Sequence, residues 1–316
     1  MNPVRSLRHL ITDQDLSPNE IWKLFELTKE LKESAPNKTF DLLRGKNLAM
    51  IFQKPSTRTR VSFEVAMNQL GGHALYLSSS DLQLSRGESI EDTARTLSRY
   101  VDGILARVFD HQDIIKLAKN SSVPVINGLS SDFHPCQALT DLFTIWEKRG
   151  TPHQCFGKGL SVSFVGDGDN NVTNSLLLLC ARLGINLKIG CPAKYKISQG
   201  ILDLAKSDIL KNKVKIEIFS DPREAVKDVE VIYTDVWVSM GRKDEKERIE
   251  TLSPFQVNKK LLSFAKKGAM VMHCLPAHRG QEIVDEVIDG PNSIVFDQAE
   301  NRLHVQKAIL TFLLKA

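Results

Sequence analysis

Hydroxyl and guanidinium side chains are concentrated directly after the first apolar segment of the 316-residue sequence. Residues 48–52 form that segment, and Lys54-Pro55-Ser56-Thr57-Arg58-Thr59-Arg60 leads from it into a helical pattern of apolar residues. The first N–H groups of a helix are unpaired and carry a partial positive charge, so they attract phosphate. The side chains of this segment add donors at the same point. The segment therefore predicts a phosphate site, although a Ser/Thr cap with solvated arginines is the simpler alternative.

Two further groups of polar donors follow later predicted strands. Arg107 comes directly after the apolar residues 104–106, and His134-Pro135-Cys136-Gln137 begins a helical pattern that continues to Trp146. His134 and Gln137 are three residues apart, so they share one face of that helix. For His134 taken alone, the structural alternative is a capping histidine.

A glycine-rich segment in the second half of the chain partly imitates a dinucleotide-binding fingerprint. Val165-Gly166-Asp167-Gly168-Asp169-Asn170-Asn171 follows a predicted strand, but Asn171 stands where the fingerprint has its third glycine. No acidic residue ends the next predicted strand near Ile189 and Gly190, where a ribose-binding carboxylate belongs. The sequence therefore disfavours an NAD-dependent enzyme.

Two more polar segments follow apolar strands in this half. Thr234-Asp235-Val236-Trp237-Val238-Ser239-Met240-Gly241 follows residues 231–233, and His273-Cys274-Leu275-Pro276 follows residues 270–272. A carboxylate at such a position can attract an amine. The structural alternatives are a turn residue for Asp235 and inert packing for Trp237 and Cys274.

Strands and helices alternate along the chain, and this alternation positions the polar segments. Short apolar runs separated by helical patterns predict parallel strands joined by crossover helices. The polar segments lie at the ends of predicted strands, and ligands of open α/β sheets bind outside the carboxyl ends of the strands. We therefore predict an α/β protein with two domains, each a mostly parallel sheet flanked by helices.

The polar stretch from Lys148 to Pro152 predicts the boundary between the domains. We expect a first domain at residues 1–149, a second at residues 150–300 and a C-terminal helix within residues 301–316. Residues 294–296 are predicted to be the last strand of the second domain. The amphipathic part of the final helix is predicted at about residues 302–314.

Composition limits the possible functions. Apolar residues make up 42% and charged residues 25% of the sequence, and the formal charge of +4 is scattered along the chain. This balance is normal for a globular protein and indicates neither a nucleic-acid-binding surface nor a membrane span. The five cysteines are widely spaced without a CxxC pair, so a zinc knuckle or a disulfide framework is not expected. With no export signal at the N-terminus, we predict a cytoplasmic protein.

The motifs together resemble those of the aspartate and ornithine carbamoyltransferase family, in the family's order and over essentially the whole chain. The segment Ser-Thr-Arg-Thr-Arg-x-Ser-Phe-Glu from Ser56 is similar to the family's phosphate-binding signature, and His134-Pro135-Cys136-Gln137 is similar to its second signature. Gln83 lies in a segment that looks like the family's loop to a neighbouring subunit. Asp297-Gln298-Ala299-Glu300-Asn301-Arg302 resembles the closing signature.

The resemblance implies that the first domain binds carbamoyl phosphate. Ser56, Thr57, Arg58 and Thr59 would hold the phosphate. The other residues implied in carbamoyl phosphate binding are Gln83, Arg107, His134, Gln137, Cys274, Leu275 and Arg302. Attack on the carbamoyl carbon places negative charge on its oxygen, and preorganised donors from Arg107, His134 and Thr59 would stabilise that charge. Gln137 would hold the carbamoyl nitrogen. Arg302 would reach the carbonyl from the final helix, which would pack back on the first domain.

The resemblance also implies that the second domain binds the acceptor. Asp-x-x-x-Ser-Met-Gly at residues 235–241 is similar to the acceptor loop of the ornithine-specific members. Asn171, Ser239 and Met240 would hold the amino acid head group, with Asn170 as an alternative to Asn171. Asp235 and Cys274 would orient the δ-amine, which must lose its proton to become a nucleophile. Because carbamoyl phosphate is already activated, Cys274 is expected to act without forming a covalent intermediate.

These implications amount to one expected activity and two alternatives. We expect transfer of the carbamoyl group to the δ-amine of L-ornithine, giving L-citrulline and phosphate in arginine biosynthesis. We expect no metal or organic cofactor, and a homotrimer or an assembly of trimers. One alternative is a different amine acceptor, such as putrescine, an acylated ornithine or aspartate. The other is a family member that only binds ligands, which would predict damage at some site positions.

Overall fold

A computed structural model of the chain describes residues 7–34, 39–150, 156–238 and 244–315. The chain divides into two compact units. The first unit runs to Phe143 and also includes the chain from Asn301 onwards, and the second unit is Thr144–Glu300. The boundaries of the predicted domains, and the ligand assigned to each, stay predictions.

The first unit contains a four-stranded sheet within the described residues, in which all neighbouring strands are parallel. Its strands, in the order β2-β1-β3-β4, are β1 (Asn47–Phe52), β2 (His73–Ser78), β3 (Gly103–Arg107) and β4 (Val125–Leu129). Its helices are α1 (Pro18–Glu33), α2 (Thr57–Gln69), α3 (Ile90–Leu97), α4 (His111–Asn120) and the first part of α5 (Pro135–Arg149). Short 3₁₀ turns at Ser79–Asp81 and Gln83–Arg86 follow β2.

Local sequence explains where the first elements begin. Ser17 and Glu20 form a reciprocal capping box at the start of α1, and Pro18 fills the first helical position. The central strand β1 is an almost unbroken apolar run, buried from Leu48 to Phe52. Such runs are typical of parallel strands that are covered on both faces.

The second unit contains a five-stranded sheet within the described residues, again with all neighbouring strands parallel. Its strands, in the order β7-β6-β5-β8-β9, are β5 (Ser161–Val165), β6 (Asn186–Gly190), β7 (Ile216–Phe219), β8 (Val231–Thr234) and β9 (Met270–His273). Its helices are α6 (Asn171–Leu183), α7 (Gln199–Asn212), α8 (Pro222–Val226), α9 (Glu245–Leu252), α10 (Lys259–Leu262) and α11 (Asp285–Ile288). The last helix, α12 (Val295–Leu314), begins in this unit and continues into the first.

The predicted α/β class with two mostly parallel sheets is confirmed, but the predicted strand at residues 294–296 is wrong. Helix α12 begins at Val295, seven residues before the predicted helix start at Arg302. Val295 and Gln298 are fully buried whereas Phe296 is 64% exposed, which is the spacing of a helix face. A run of three apolar residues is too short to distinguish a strand from a helical turn.

Across the part of the chain that the structure describes, no helix combines the length and the apolar character needed to cross a membrane.

Candidate active site

The predicted donor residues of the first unit lie where its parallel strands end. Ser56 follows β1, Arg107 is the last residue of β3, and His134 precedes α5 after β4. Because the carboxyl ends of parallel strands lie along the same edge of a sheet, these segments converge. Their side chains form one hydrogen-bonded group, called here the donor cluster: Thr59, Arg107, Gln137, Asp141 and Arg302.

The start of α2 has the form of an anion site. The Ser56 hydroxyl accepts a hydrogen bond from the N–H of Thr59 at 3.3 Å, so Ser56 caps the helix. The Thr57 side chain is exposed, and the Thr59 side chain is almost completely buried. The N-terminal N–H groups of α2, the hydroxyls and the positive charge of Arg58 together favour a bound phosphate.

The two arginines of this segment have different surroundings. Arg58 is partly buried, and its positive charge is one of the causes that lower the pKa of His134. Arg60 is exposed, stacks 3.8 Å from the centre of the Tyr76 ring and pairs with Glu64 at 3.3 Å. The sequence suggested that both guanidiniums add donors in one arc, and for Arg60 the structure shows other partners.

Thr59 joins two arginines that are distant in sequence. Arg302 Nη2 donates to the Thr59 hydroxyl at 3.2 Å, and Arg107 Nη1 donates to the same oxygen at 3.5 Å. Arg302 is 3% exposed and comes from α12, 243 residues after Thr59. The structure therefore brings three of the predicted carbonyl-facing groups together in one network.

The amide of Gln137 is held from both ends. Its Oε1 accepts from Arg302 Nη1, and its Nε2 donates to Asp141 Oδ1 at 2.7 Å. All three side chains are buried. Since a carboxylate only accepts hydrogen bonds, Asp141 fixes which end of the Gln137 amide is the nitrogen. The amide oxygen is thereby turned towards Arg302.

His134 is a neutral donor or acceptor at physiological pH. Burial holds the pKa of His134 well below its usual value, and the positive charges of Arg302, Arg107 and Arg58 lower it further. Its carbonyl also accepts the hydrogen bond from the N–H of Ala138 at 3.1 Å, so its main chain starts α5. The imidazole can thus meet a carbonyl oxygen without adding charge to three arginines.

Cys136 lies between His134 and Gln137 in sequence, but its thiol contacts the main chain of β4 and not the donor cluster. Its side chain is fully buried and its thiol contacts the carbonyl of Asn127 at 3.4 Å. Burial raises the pKa of the Cys136 thiol to about 12. The residue therefore packs and does not react.

Gln83 lies on an exposed segment of the first unit, after β2. It begins the 3₁₀ turn Gln83–Arg86, and its side chain is exposed. The hydrogen bonds of the donor cluster, among the described residues, do not include it. A role for Gln83 in ligand binding stays a prediction that requires a second subunit.

In the second unit, Asp235 and Cys274 lie at the ends of the neighbouring strands β8 and β9. Cys274 Sγ donates to Asp235 Oδ1 at 2.9 Å, and the N–H of Val236 donates to the same oxygen at 2.8 Å. Asp235 is 9% exposed. A largely buried carboxylate beside a thiol can receive the ammonium group of an acceptor and orient it.

Hydrogen bonds of His273 hold the main chain on both sides of Cys274 in place. His273 Nδ1 accepts from the N–H of Leu275 at 2.8 Å, which leaves Nε2 as the donor to Glu282 Oε1 at 3.1 Å. Ligand atoms of Asp235, His273 and Cys274 lie within 4.8 Å of one another, close enough for one metal ion. Both His273 nitrogens are occupied by protein partners, however, so this group does not have the ligand set of a metal site.

The glycine-rich loop after β5 packs against its own unit. A Cβ on Gly168 would lie 2.7 Å from the carbonyl oxygen of Tyr195 and 2.9 Å from Cys191 Sγ, so close packing explains this glycine. Asn170 caps α6, because its Oδ1 accepts from the N–H of Thr173 at 2.8 Å and its Nδ2 donates to the carbonyl of Asp167 at 2.9 Å. Asn170 is thus occupied within its loop, which favours Asn171 as the ligand-binding residue.

The two remaining predicted acceptor residues, Ser239 and Met240, lie outside the described residues. Their contact with an acceptor stays a prediction, as does the role of every other site residue.

The sequence analysis did not identify two residues that contact the predicted binding segments, Asp141 and Arg248. Asp141 follows Gln137 by four residues on α5, and this spacing is a signal that could have identified it. Arg248 pairs with Asp167 in the loop after β5, yet it lies in the charged segment Glu245-Lys246-Glu247-Arg248 that is typical of a solvated helix face. No feature of the sequence around Arg248 indicated its burial.

The two halves of the sequence match the two domains of one enzyme family. Residues 8–147 match the carbamoyl-P binding domain of aspartate/ornithine carbamoyltransferase. Residues 158–313 match the Asp/Orn binding domain of the same family. The donor cluster lies in the first of these regions, apart from Arg302, and Asp235 with Cys274 lies in the second.

Full-length relatives and solved structures agree with this match. An ornithine carbamoyltransferase of Pyrococcus abyssi is 56% identical over 309 residues, covering 97% of this chain and 96% of the relative. An anabolic ornithine carbamoyltransferase of Pyrococcus furiosus is 55% identical over 309 residues with the same coverage. The solved structure of ornithine carbamoyltransferase from P. furiosus superposes with a TM-score of 0.92 at 55% identity, covering 97% of each chain.

Proposed function

The chain belongs to the aspartate/ornithine carbamoyltransferase family, and on that premise we propose that it transfers the carbamoyl group of carbamoyl phosphate to the δ-amine of L-ornithine. The products are L-citrulline and phosphate. The observation that carries the choice of acceptor is the Asp235–Cys274 pair, a carboxylate and a thiol 2.9 Å apart. The relatives named above are ornithine carbamoyltransferases, which supports the same acceptor.

Charge explains why this pair favours ornithine over aspartate. The side chain of ornithine ends in an ammonium group, which the carboxylate of Asp235 attracts. The side chain of aspartate ends in a carboxylate, which Asp235 would repel at short range with little solvent to screen the charge. Cys274 then adds a neutral donor that can reorient as the ammonium group loses a proton.

The donor half of the reaction is proposed to run on the residues of the first unit. Ser56, Thr57, Arg58 and Thr59 bind the phosphate at the start of α2. Attack at the carbamoyl carbon moves charge onto its oxygen, and the donors of Arg107, His134 and Arg302 stabilise that charge. His134 and Arg302 are buried, and Arg107 and Arg302 both donate to the Thr59 hydroxyl, so little reorganisation of these groups is required in the transition state.

The acceptor half requires an uncharged amine. The lone pair of the δ-nitrogen forms the new N–C bond, and the C–O bond to phosphate breaks with its electron pair going to phosphate. The nitrogen then loses one proton, and the departing phosphate accepts it. Asp235 and Cys274 orient the nitrogen, and Asn171, Ser239 and Met240 bind the head group in this proposal. Cys274 and Leu275 are also proposed to contact the carbamoyl group from their position after β9. No step requires a covalent enzyme intermediate or a cofactor.

We further propose that the enzyme is a homotrimer, or an assembly of trimers, in which Gln83 completes the site of a neighbouring subunit. Gln83 is exposed, and the same unit exposes Val61, Val65 and Leu75. Apolar side chains grouped on α2 and β2 are suitable for burial against another copy. Light scattering should give about three times the 35.4 kDa chain mass, or a multiple of it. A fully active monomer would contradict this part of the proposal.

The anabolic name of the P. furiosus relative supports a role in arginine biosynthesis, and the cytoplasmic location stays a prediction from the sequence. The deciding experiment is a colorimetric assay of ureido products with a panel of acceptors: ornithine, putrescine, N-acetylornithine and aspartate. We expect product with ornithine, and kcat/KM for ornithine that rises with pH as the amine deprotonates. A preference for any other amine would overturn the acceptor assignment. Absence of product with all four, in protein that binds carbamoyl phosphate, would favour a binding protein.

A further inference from the structure

Arg248 is a buried arginine in the second unit, which is proposed to bind the acceptor. Its helix, α9, is charged along most of its length, and the neighbouring Glu245 and Glu247 are exposed. The Arg248 side chain is nevertheless only 3% exposed. A fully buried guanidinium is rare unless it is paired and hydrogen-bonded, so its partners indicate what it holds.

Four groups of the second unit contact the Arg248 guanidinium. Nη2 pairs with the carboxylate of Asp167, which is itself 2% exposed. Nε donates to the carbonyl oxygen of Trp237 at 2.7 Å, and the guanidinium lies 4.3 Å from the centre of the Tyr195 ring. Asp244 adds a longer ion pair at 3.6 Å. The planar fork of arginine matches this set, because it can donate in two directions while it stacks on a ring.

The two hydrogen-bonded partners belong to the two segments that carry predicted acceptor residues. Trp237 follows Asp235 by two residues after β8. Asp167 lies in the loop after β5, where its carbonyl accepts from Asn170 Nδ2 at 2.9 Å and its Oδ1 accepts from the N–H of Asp169 at 2.9 Å. That loop ends in Asn171, the first residue of α6. Arg248 therefore ties the Asp235 segment to the Asn171 loop.

We propose that Arg248 is a positioning residue for the amino acid acceptor. It fixes the distance between the segment that meets the amine and the segment that meets the head group, and it touches no reacting atom. This inference rests on the proposed function, since it assigns both segments to the acceptor. A merely structural ion pair would support folding of the unit without affecting one substrate more than the other.

The chain offers a matched control for this test. Arg182 pairs with Asp208 at 2.9 Å, with 14% and 17% of the two side chains exposed. This second pair joins α6 to α7 in the same unit. Replacing each arginine by methionine keeps an unbranched side chain with good helix propensity and removes the charge.

The experiment measures KM for ornithine and for carbamoyl phosphate, together with kcat and the unfolding midpoint, in Arg248→Met, Arg248→Lys and Arg182→Met. We expect Arg248→Met to raise KM for ornithine about tenfold or more, because displaced binding groups lose their alignment. KM for carbamoyl phosphate should stay within about threefold of wild type. Arg248→Lys should bind ornithine better than Arg248→Met but less well than the wild type, since lysine keeps the positive charge and lacks the planar guanidinium group. Arg182→Met should lower the unfolding midpoint without a selective change in either KM.

Two results would overturn the positioning role: ornithine KM unchanged in Arg248→Met, or an equal shift of ornithine KM in Arg182→Met. If Arg248→Met fails to fold, Asp167→Asn and Arg248→Lys apply the same test. Asp167→Asn keeps a side chain of the same shape and leaves Asp244 to pair with the arginine, and Arg248→Lys keeps the positive charge. Failure of the proposed function looks different. It would appear as wild-type protein that forms no ureido product from ornithine, whatever the variants do.

Discussion

Replacement of Arg302 by methionine tests the donor cluster most directly. Arg302 is 3% exposed and donates to both Thr59 and Gln137. Methionine preserves the helix and most of the buried stem but removes both hydrogen bonds and the positive charge. Loss of one preorganised donor to the charge formed in a transition state costs about 3 kcal/mol, or roughly a hundredfold in rate. We therefore expect kcat/KM for carbamoyl phosphate to fall roughly a hundredfold or more.

The assay is the rate of ureido product at saturating ornithine over a range of carbamoyl phosphate concentrations. Lys307→Met is the matched control, because Lys307 is a buried cation on the same helix and its pKa is lowered by burial. Its ammonium group lies 6.0 Å from the Phe40 ring, away from the hydrogen bonds of the donor cluster. Thermal unfolding of both variants separates lost activity from lost structure. A loss below about tenfold in Arg302→Met, or an equal loss in Lys307→Met, would refute the reasoning.

Three other predictions follow from the same geometry. Arg58→Ala should chiefly weaken binding of carbamoyl phosphate, and Asp235→Ala should chiefly impair the use of ornithine. Steady-state kinetics with each substrate varied in turn will measure both effects. Equal effects of each variant on both substrates would contradict a division into two binding sites. Cys274→Ser keeps a donor beside Asp235 and should retain measurable activity, whereas a covalent role for the thiol predicts none. Finally, the pKa of His134 is lowered well below 6.5 in the folded chain, so the unfolded chain binds a proton at His134 below pH 6.5 that the folded chain does not. The free energy of unfolding should therefore decrease as the pH falls below 6.5. Urea titrations at several pH values should show a smaller decrease in His134→Gln than in the wild type. The same pH dependence in both proteins would argue against a buried neutral imidazole.

The position of the site could be predicted because it depends on order along the chain. Apolar runs mark the strands, and polar residues that follow these runs must lie at strand ends. Ser56, Arg107 and His134 are candidates selected in this way, and so are Asp235 and Cys274 in the second unit; the structure places each of them after a strand or at its end, and their roles stay predictions. The strand predicted at residues 294–296 failed because three apolar residues contain too little periodicity to decide between a strand and a helix.

The roles of single side chains within the site could not be predicted in the same way. Arg58 and Arg60 belong to one motif, yet Arg60 stacks on Tyr76 and pairs with Glu64. Side-chain direction is set by the turn of α2 and by the neighbouring strand β2, and a motif does not encode either of them. For Asp141, by contrast, the contact could have been predicted, because its spacing of four residues from Gln137 on one helix is visible in the sequence.

The sequence by itself determined which residue types are available, their order and the strand ends at which they appear, because these depend on local patterns of apolar and polar residues. Only the tertiary structure decided which groups meet. It brought Arg302 to Thr59 across 243 residues, buried Arg248 against Asp167 and lowered the pKa of His134 by burying it near three arginines. Burial and charge at each of these positions are produced by residues far away along the chain, so they exist only after the chain has folded.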